Sequence, residues 1–276
     1  DTTMCQIVAE VFKVPTEDVR IVSSDTETTP MDLGSFANRV TFMAGNAVLA
    51  AAKDAKQQVM TFVAEKFEAN VTDIEMNNGR IYVKGNVEKG MSFSETVTAA
   101  LYSPKGMTFL GRGFYNPPTD LIDYLTGMGN VSPAYTYGAQ VIKVAVDKEN
   151  GKVKLLDVQG AADVGIAINP MSIEGQMEGC VSVGIGQAVT EKLYREKGLI
   201  LTTSVLEYKV PTALDMPPVN TTIVETNDPE GPFGAKGFSE GCQVPTAPAI
   251  VNAIRSLGIK VQDLPITPDK ILDALK

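Results

Sequence analysis

YGAQVIKVAVDKENGKVKLLDVQGA, residues 137–161, is the stretch whose pattern decides the fold. Two runs rich in alternating apolar residues, Tyr137–Val146 and Val153–Ala161, flank Asp147–Lys152, with a turn at Glu149-Asn150-Gly151. A period of two places successive side chains on opposite faces of a sheet, so the pair predicts a β-hairpin. After INP (168–170) the spacing predicts a helix from about Met171 to Leu193. Weak strands follow near Leu199–Thr203 and Thr221–Glu225, then a second helical pattern over Val244–Leu257. Hairpins and long helices occur without regular strand–helix alternation. That favours an α+β fold, mixed sheets with long helices packed on them, over a doubly wound sheet.

The first half has the same ingredients. Thr2 or Thr3 can N-cap a helix through Gln6–Val14 that Pro15 stops. Val19–Val22 alternates like a short strand, and residues 25–41 are polar and turn-rich. Phe42–Phe67 is a long Ala-rich helical pattern whose Val48, Ala52, Ala55, Val59 and Val63 share one face. Ile74–Met76 and Arg80–Val83, joined by Asn77-Asn78-Gly79, predict a hairpin with a primed turn. Ser92 and Glu95 form a capping-box pattern at the head of a helix ending at Leu101. Residues 103–135 are crowded with Gly and Pro, so two subdomains are expected, 1–130 and 131–276.

Composition excludes several function classes. A net charge of −9 argues against a nucleic-acid partner. No run approaches the roughly 18 apolar residues of a membrane span, and no signal peptide is visible. Cys5, Cys180 and Cys242 are odd in number and far apart, which rules out a disulfide framework or a CxxC-type metal site. A reducing cytoplasm is the expected location. The chain starts at Asp1 without an initiator Met and reads as a truncated or processed piece. It contains no histidine, so acid–base chemistry falls to Glu, Asp, Lys, Tyr or Cys.

Three places carry candidate chemistry. GPFGAKGFSEG, residues 231–241, delivers Glu240 to the start of the second helical pattern. Glycines permit positive φ and close backbone approach, so Glu240 is a candidate general base; the plain alternative is a solvated Glu complementing a helix dipole. Lys236 can pair with Glu240 or bind an anion. Gln176, in EGQMEG, can offer an uncharged amide to a ligand oxygen, or simply ride on a helix whose Gly175, Gly179 and Gly186 permit close packing. The segment DLGSFANRVT, 32–41, offers backbone N–H groups with Ser35, Asn38, Arg39 and Thr41 to a phosphate or a pterin edge, or is an ordinary capped loop. Gly184-Ile185-Gly186 lacks a third glycine and lies inside the helix, so a dinucleotide fingerprint fails. Cys242 has no histidine to activate it and reads as a buried small residue.

In order along the chain, four blocks resemble the C-terminal half of the molybdopterin subunit of molybdenum hydroxylases, the xanthine dehydrogenase, aldehyde oxidase and carbon monoxide dehydrogenase family. They are DTETTPMDLGSFANRVTFMAGNAV, DVGIAINPMSIEGQMEGCVSVGIGQAVTEKL, LEYKVPTALDMPP and GPFGAKGFSEG. The resemblance covers essentially the whole chain. It implies that Glu240 is the catalytic general base and that Gln176 contacts the pterin cofactor. It places Ala37, Asn38, Arg39 and Thr41 along the cofactor and Thr2 just after an upstream cofactor loop. Two positions depart from the family pattern: Asn38 stands where many members carry Ser, and Ser239 replaces the glycine that usually precedes the glutamate.

The cofactor so implied is molybdopterin in its cytosine dinucleotide form, with molybdenum held through the pterin rather than by protein ligands. Iron–sulfur clusters and FAD are then expected on partner chains, alongside a large molybdopterin subunit. The resemblance is strongest to the medium subunit of a split bacterial enzyme such as nicotinate dehydrogenase. It implies hydroxylation of an electron-poor carbon of an N-heteroaromatic with water-derived oxygen. A purine, an aldehyde or an aromatic acyl-CoA is the alternative substrate, and a non-catalytic cofactor-binding paralogue the competing class. Retention of Glu240 in its glycine loop speaks against the last.

Overall fold

The Ala-rich run forms one unbroken helix, Arg39–Phe67, in the computed structural model, which describes residues 1–276. The chain divides into two compact units, residues 1–134 with 228–235 and residues 135–227 with 236–276. The glycine stretch 231–241 is therefore shared, Gly231–Ala235 belonging to the first unit and Lys236–Gly241 to the second.

In the first unit α1 (Thr2–Phe12) packs on α2 (Arg39–Phe67). Asp1, not Thr2 or Thr3, occupies the N-cap, because the buried face begins already at Met4 and Cys5. Lys13, at φ 53, ends the helix two residues ahead of Pro15. Ala52, Val59 and Val63 of α2 are buried as the spacing predicts, and they meet Val11, Phe12 and the sheet residues Ile74, Met76 and Ile81. That sheet is antiparallel, β1 (Ile74–Asn77), β2 (Arg80–Val83) and β3 (Asn86–Ser92) in sequence order. Asn78 and Gly79 both have positive φ, 46° and 68°, as a primed turn requires. β3 has no counterpart in the sequence reading, since Asn86–Lys89 are exposed and carry no alternation. The expected strand at Val19–Val22 does not form; Val22 is 69% exposed and pairs with nothing in a sheet. α3 (Phe93–Leu101) has both bonds of the capping box between Ser92 and Glu95.

Residues 103–134 contain no helix or strand, yet part of them is strapped to α2. The Gln58 amide exchanges two hydrogen bonds with the Leu110 backbone, and Arg112 N donates to Asp54 Oδ2 at 3.0 Å. A Cβ on Gly111 or Gly113 would lie 2.0 or 2.3 Å from the carbonyl oxygens of Ala51 and Ala47. Those glycines, facing alanines, let two backbones touch.

In the second unit β4 (Gly138–Val146) and β5 (Val153–Asp163) form the expected antiparallel hairpin. α4 (Pro170–Val189) follows, started by Asn169 accepting from Ser172 N. It ends four residues before Leu193, because Thr190 N and Glu191 N both turn back to Gly186 O. A minor ribbon, β6 (Arg195–Glu196) with β7 (Leu199–Ile200), and the short α5 (Val205–Tyr208) lead to β8 (Val219–Val224). β8 pairs parallel with β5, giving a mixed sheet of order β4-β5-β8. α6 (Thr246–Arg255) and α7 (Pro268–Ala274) complete the unit. Ile142 and Val158 of the sheet meet Val181 and Ile185 of α4 and Ile250 and Ile254 of α6 in one core. The fold is α+β with mixed sheets and helices, and no helix is long and apolar enough to cross a membrane.

Candidate active site

Glu240 opens a single 3-10 turn, Glu240–Cys242, that stands apart from α6; it is not in that helix's first turn, as the apolar spacing suggests. Its side chain is exposed, while the backbone on both sides is fastened to the second unit. Thr136 Oγ1 donates to Gly237 O at 2.8 Å, and the Cys180 thiol of α4 donates to Ser239 O at 3.1 Å. Gln140 Nε2 of β4 donates to Cys242 O at 2.5 Å, and Thr246 Oγ1 reaches Gln140 Oε1 at 2.8 Å. A carboxylate on a loop held from sheet and helix at once is held in place at little further ordering cost. Ser239 takes φ −175, outside the positive-φ region that favours glycine. Of the loop's glycines Gly234 has positive φ, at 83°. Gly138 and Gly241 serve close approach instead, a Cβ on Gly138 falling 2.8 Å from Gly241 O.

Lys236 does not pair with Glu240 and does not face solvent. It is 8% exposed, and its Nζ lies 2.7 Å from Asp163 Oδ2 and 2.9 Å from Tyr135 O, with the Tyr137 ring 5.4 Å away. Lys236 N also donates to Val164 O. Asp163, the last residue of β5, accepts from Gly165 N and Thr226 Oγ1 as well. Burial pushes the Asp163 carboxyl up, but Lys236, Gly165 and Thr226 outweigh it and hold it below its ordinary value. The sequence offered only a distant signal for this partner, the acid that begins DVGIAINP.

Gln176 lies in the N-terminal half of α4, whose two sides differ sharply. Met177, Cys180 and Val181 are buried, while Gly175, Gln176 and Gly179 are exposed. A Cβ at Gly175 or Gly179 would have nothing within 4 Å, whereas one at Gly186 would strike Glu191 and one at Gly184 would strike Thr246. Close packing thus explains the later glycines but not the two beside Gln176. Cys180 ties this half of α4 to the Glu240 loop, so the fold brings Gln176 and Glu240 into one unit. Burial raises the thiols of Cys180 and Cys242, the latter to about 11, which suits structural residues rather than nucleophiles.

The remaining candidates lie in the first unit. Thr2 is the exposed first residue of α1. Ala37 and Asn38 have positive φ, 48° and 60°, at the entry to α2, and Thr41 is part-buried in its first turn. Arg39 is engaged by its own loop: Nη1 donates to Asp32 Oδ1 and Gly34 O, and the guanidinium lies 5.3 Å from the Phe36 ring. These contacts order the turn at the entry to α2.

Gln176 is exposed beside Gly175 and Gly179, where a Cβ would meet nothing within 4 Å, so this stretch of α4 leaves open space next to an amide.

Residues 1–217 match the family model described as the molybdopterin cofactor-binding domain. The chain is 34% identical over 278 residues to the 6-hydroxypseudooxynicotine dehydrogenase complex subunit gamma of Paenarthrobacter nicotinovorans, covering 98% of this chain and 34% of that one. It is 31% identical to a putative xanthine dehydrogenase molybdenum-binding subunit of Escherichia coli, covering 99% and 35%. Quinoline 2-oxidoreductase from Pseudomonas putida 86 superposes with a TM-score of 0.86 at 28% identity, over 100% of this chain and 35% of that one. The chain spans about a third of the length of these relatives. With its fold and its family model in agreement, the chain belongs to the molybdopterin cofactor-binding domains of the molybdenum hydroxylase family.

Proposed function

We propose that this chain is part of the molybdopterin-binding portion of an oxidoreductase that hydroxylates an electron-poor carbon of an N-heteroaromatic with water-derived oxygen. The observation that carries the reading is an exposed carboxylate, Glu240, on a loop fastened at Gly237, Ser239 and Cys242 and tied by Cys180 to the helix of Gln176. When bound, the molybdenum–pterin group supplies the oxygen donor and accepts the electrons. Glu240 takes the proton from the attacking oxygen at its carboxylate. The Gln176 amide orients the pterin edge, with Gly175 and Gly179 leaving room above the helix. Ala37, Asn38, Arg39 and Thr41 at the entry to α2, with Thr2, are the further residues assigned to the cofactor. The two units correspond to two molybdopterin-binding subdomains.

Substrate class rests on chemistry shared by named relatives, since quinoline is an N-heteroaromatic and 6-hydroxypseudooxynicotine carries a pyridine ring. A nicotinate-like ring in the cytoplasm, the cytosine dinucleotide form of the pterin, and iron–sulfur, FAD and large molybdopterin partners complete the proposal. Turnover of such a ring in water enriched in heavy oxygen should place the label in the product, and the purified complex should contain molybdenum and pterin. Absence of molybdenum and pterin, or product oxygen drawn from dioxygen, would overturn it.

The open face of α4 gives a second check. Gly175→Ala and Gly179→Ala should each stabilise the fold by up to about 1 kcal/mol, since a helix prefers Ala and nothing obstructs a Cβ. Molybdenum and pterin content should nevertheless fall. Rising stability at full cofactor content would detach these glycines from the cofactor.

A further inference from the structure

We propose that the buried Asp163–Lys236 pair is a positioning device that sets the register of the loop carrying Glu240. The inference rests on the functional reading above. Lys236 lies four residues ahead of Glu240, and its ammonium is held by Asp163 and by the Tyr135 carbonyl. Asp163 closes β5, and Thr226, which donates to its other oxygen at 2.7 Å, lies two residues past the end of β8. One carboxylate thus joins the ends of two parallel strands to the loop. Gly165 N, at 3.0 Å, gives Asp163 its third donor from outside the loop.

The same stretch also carries main-chain and side-chain anchors. Lys236 N donates to Val164 O at 2.8 Å, and the Gly237 carbonyl accepts from Thr136. The loop therefore leaves the sheet edge at a fixed point, and the short path from Gly237 to Glu240 ends on the Cys180 and Gln140 bonds. Lys236 is buried and its ammonium is engaged by Asp163 and the Tyr135 carbonyl, so it acts on Glu240 through the backbone. It is a positioning residue, and Asp163 with it.

The experiment uses the assembled complex and the paired variant Asp163→Asn/Lys236→Met, which removes both charges together. Expected are a folded complex with unchanged molybdenum and pterin content, a kcat lower by roughly 10- to 100-fold and a KM within about two-fold. Amide exchange across residues 237–242 should speed up, and alkylation of Cys180 and Cys242 should accelerate while Cys5, in the first unit, keeps its rate. Thr226→Val, which keeps both charges and removes one bond to Asp163, should move exchange in the same direction by less. It decides the matter if the paired variant fails to fold. Unchanged exchange and alkylation in a folded variant would overturn the proposal, as would a loss confined to KM. If Glu240→Gln keeps full turnover, the base assignment has failed, and the exchange and alkylation results still judge the positioning assignment independently.

Discussion

Glu240→Gln should leave the assembled complex folded and fully loaded with molybdenum and pterin while turnover falls by about 10²–10⁴-fold, the usual worth of a general base. In energy this is about 3–5 kcal/mol of transition-state stabilisation. The carboxamide has the size and shape of the carboxylate, and the side chain is exposed. The bonds that hold its loop come from Thr136, Cys180 and Gln140 to backbone oxygens, none of which the substitution touches. Because a base acts in the transition state, the loss should appear in kcat and kcat/KM alike. Glu240→Asp, which withdraws the same group by one methylene, should fall between the two. Steady-state kinetics beside metal analysis checks this, and near wild-type turnover with metal bound would remove Glu240 from the mechanism.

Lys236→Met alone should be among the most destabilising single substitutions in the second unit, costing roughly 3–5 kcal/mol. The partners' side chains are 8% and 11% exposed, so removing the ammonium strands a carboxylate among Gly165 and Thr226 with no counter-charge. A fall in melting temperature of roughly 10 °C or more is expected. The pH dependence follows from Asp163, whose carboxyl is held below its ordinary value of 3.8 in the fold. Its contribution is complete above that value and is lost as pH drops below about 4 through the lower folded value. Acid titration of the wild type should show this loss, and Asp163→Asn should remove it. An acid profile identical in the two proteins would mean that the pair does not couple folding to protonation.

How much could be read from residue order is clearest at particular positions. The 137–161 hairpin and the Asn78-Gly79 turn follow from alternation and from positive φ, both local properties, and both appear as expected. α2 is equally legible, its Ala52, Val59 and Val63 face being continuous. β3 was illegible because an edge strand with exposed Asn86–Lys89 has no inside to advertise. Val19–Val22 misled for the opposite reason, alternating without any neighbour to pair with. Lys236 shows the limit for the site. Its nearest acid in sequence is Glu240, but its actual partner lies 73 residues away, brought there by a parallel strand pairing that no local pattern encodes. Gln140, Thr136 and Cys180 were missed for the same reason, since their roles exist only against the loop they hold.

The return of residues 228–235 to the first unit also sets a clock on synthesis. Pro232 seats against Gly45 of α2, 2.9 Å from where a Cβ would stand, and Asn46 Nδ2 donates to Glu230 O at 2.8 Å. That part of α2, met from the other side by Ile7, lacks Pro232 until roughly 90 further residues beyond the first 134 have left the ribosome, about 5–20 s at ordinary elongation rates. During that interval the nascent first unit carries an open seam, and the segment that closes it arrives only a few residues before Glu240. The unit's last stitch and the base's own loop are made in a single stroke of translation.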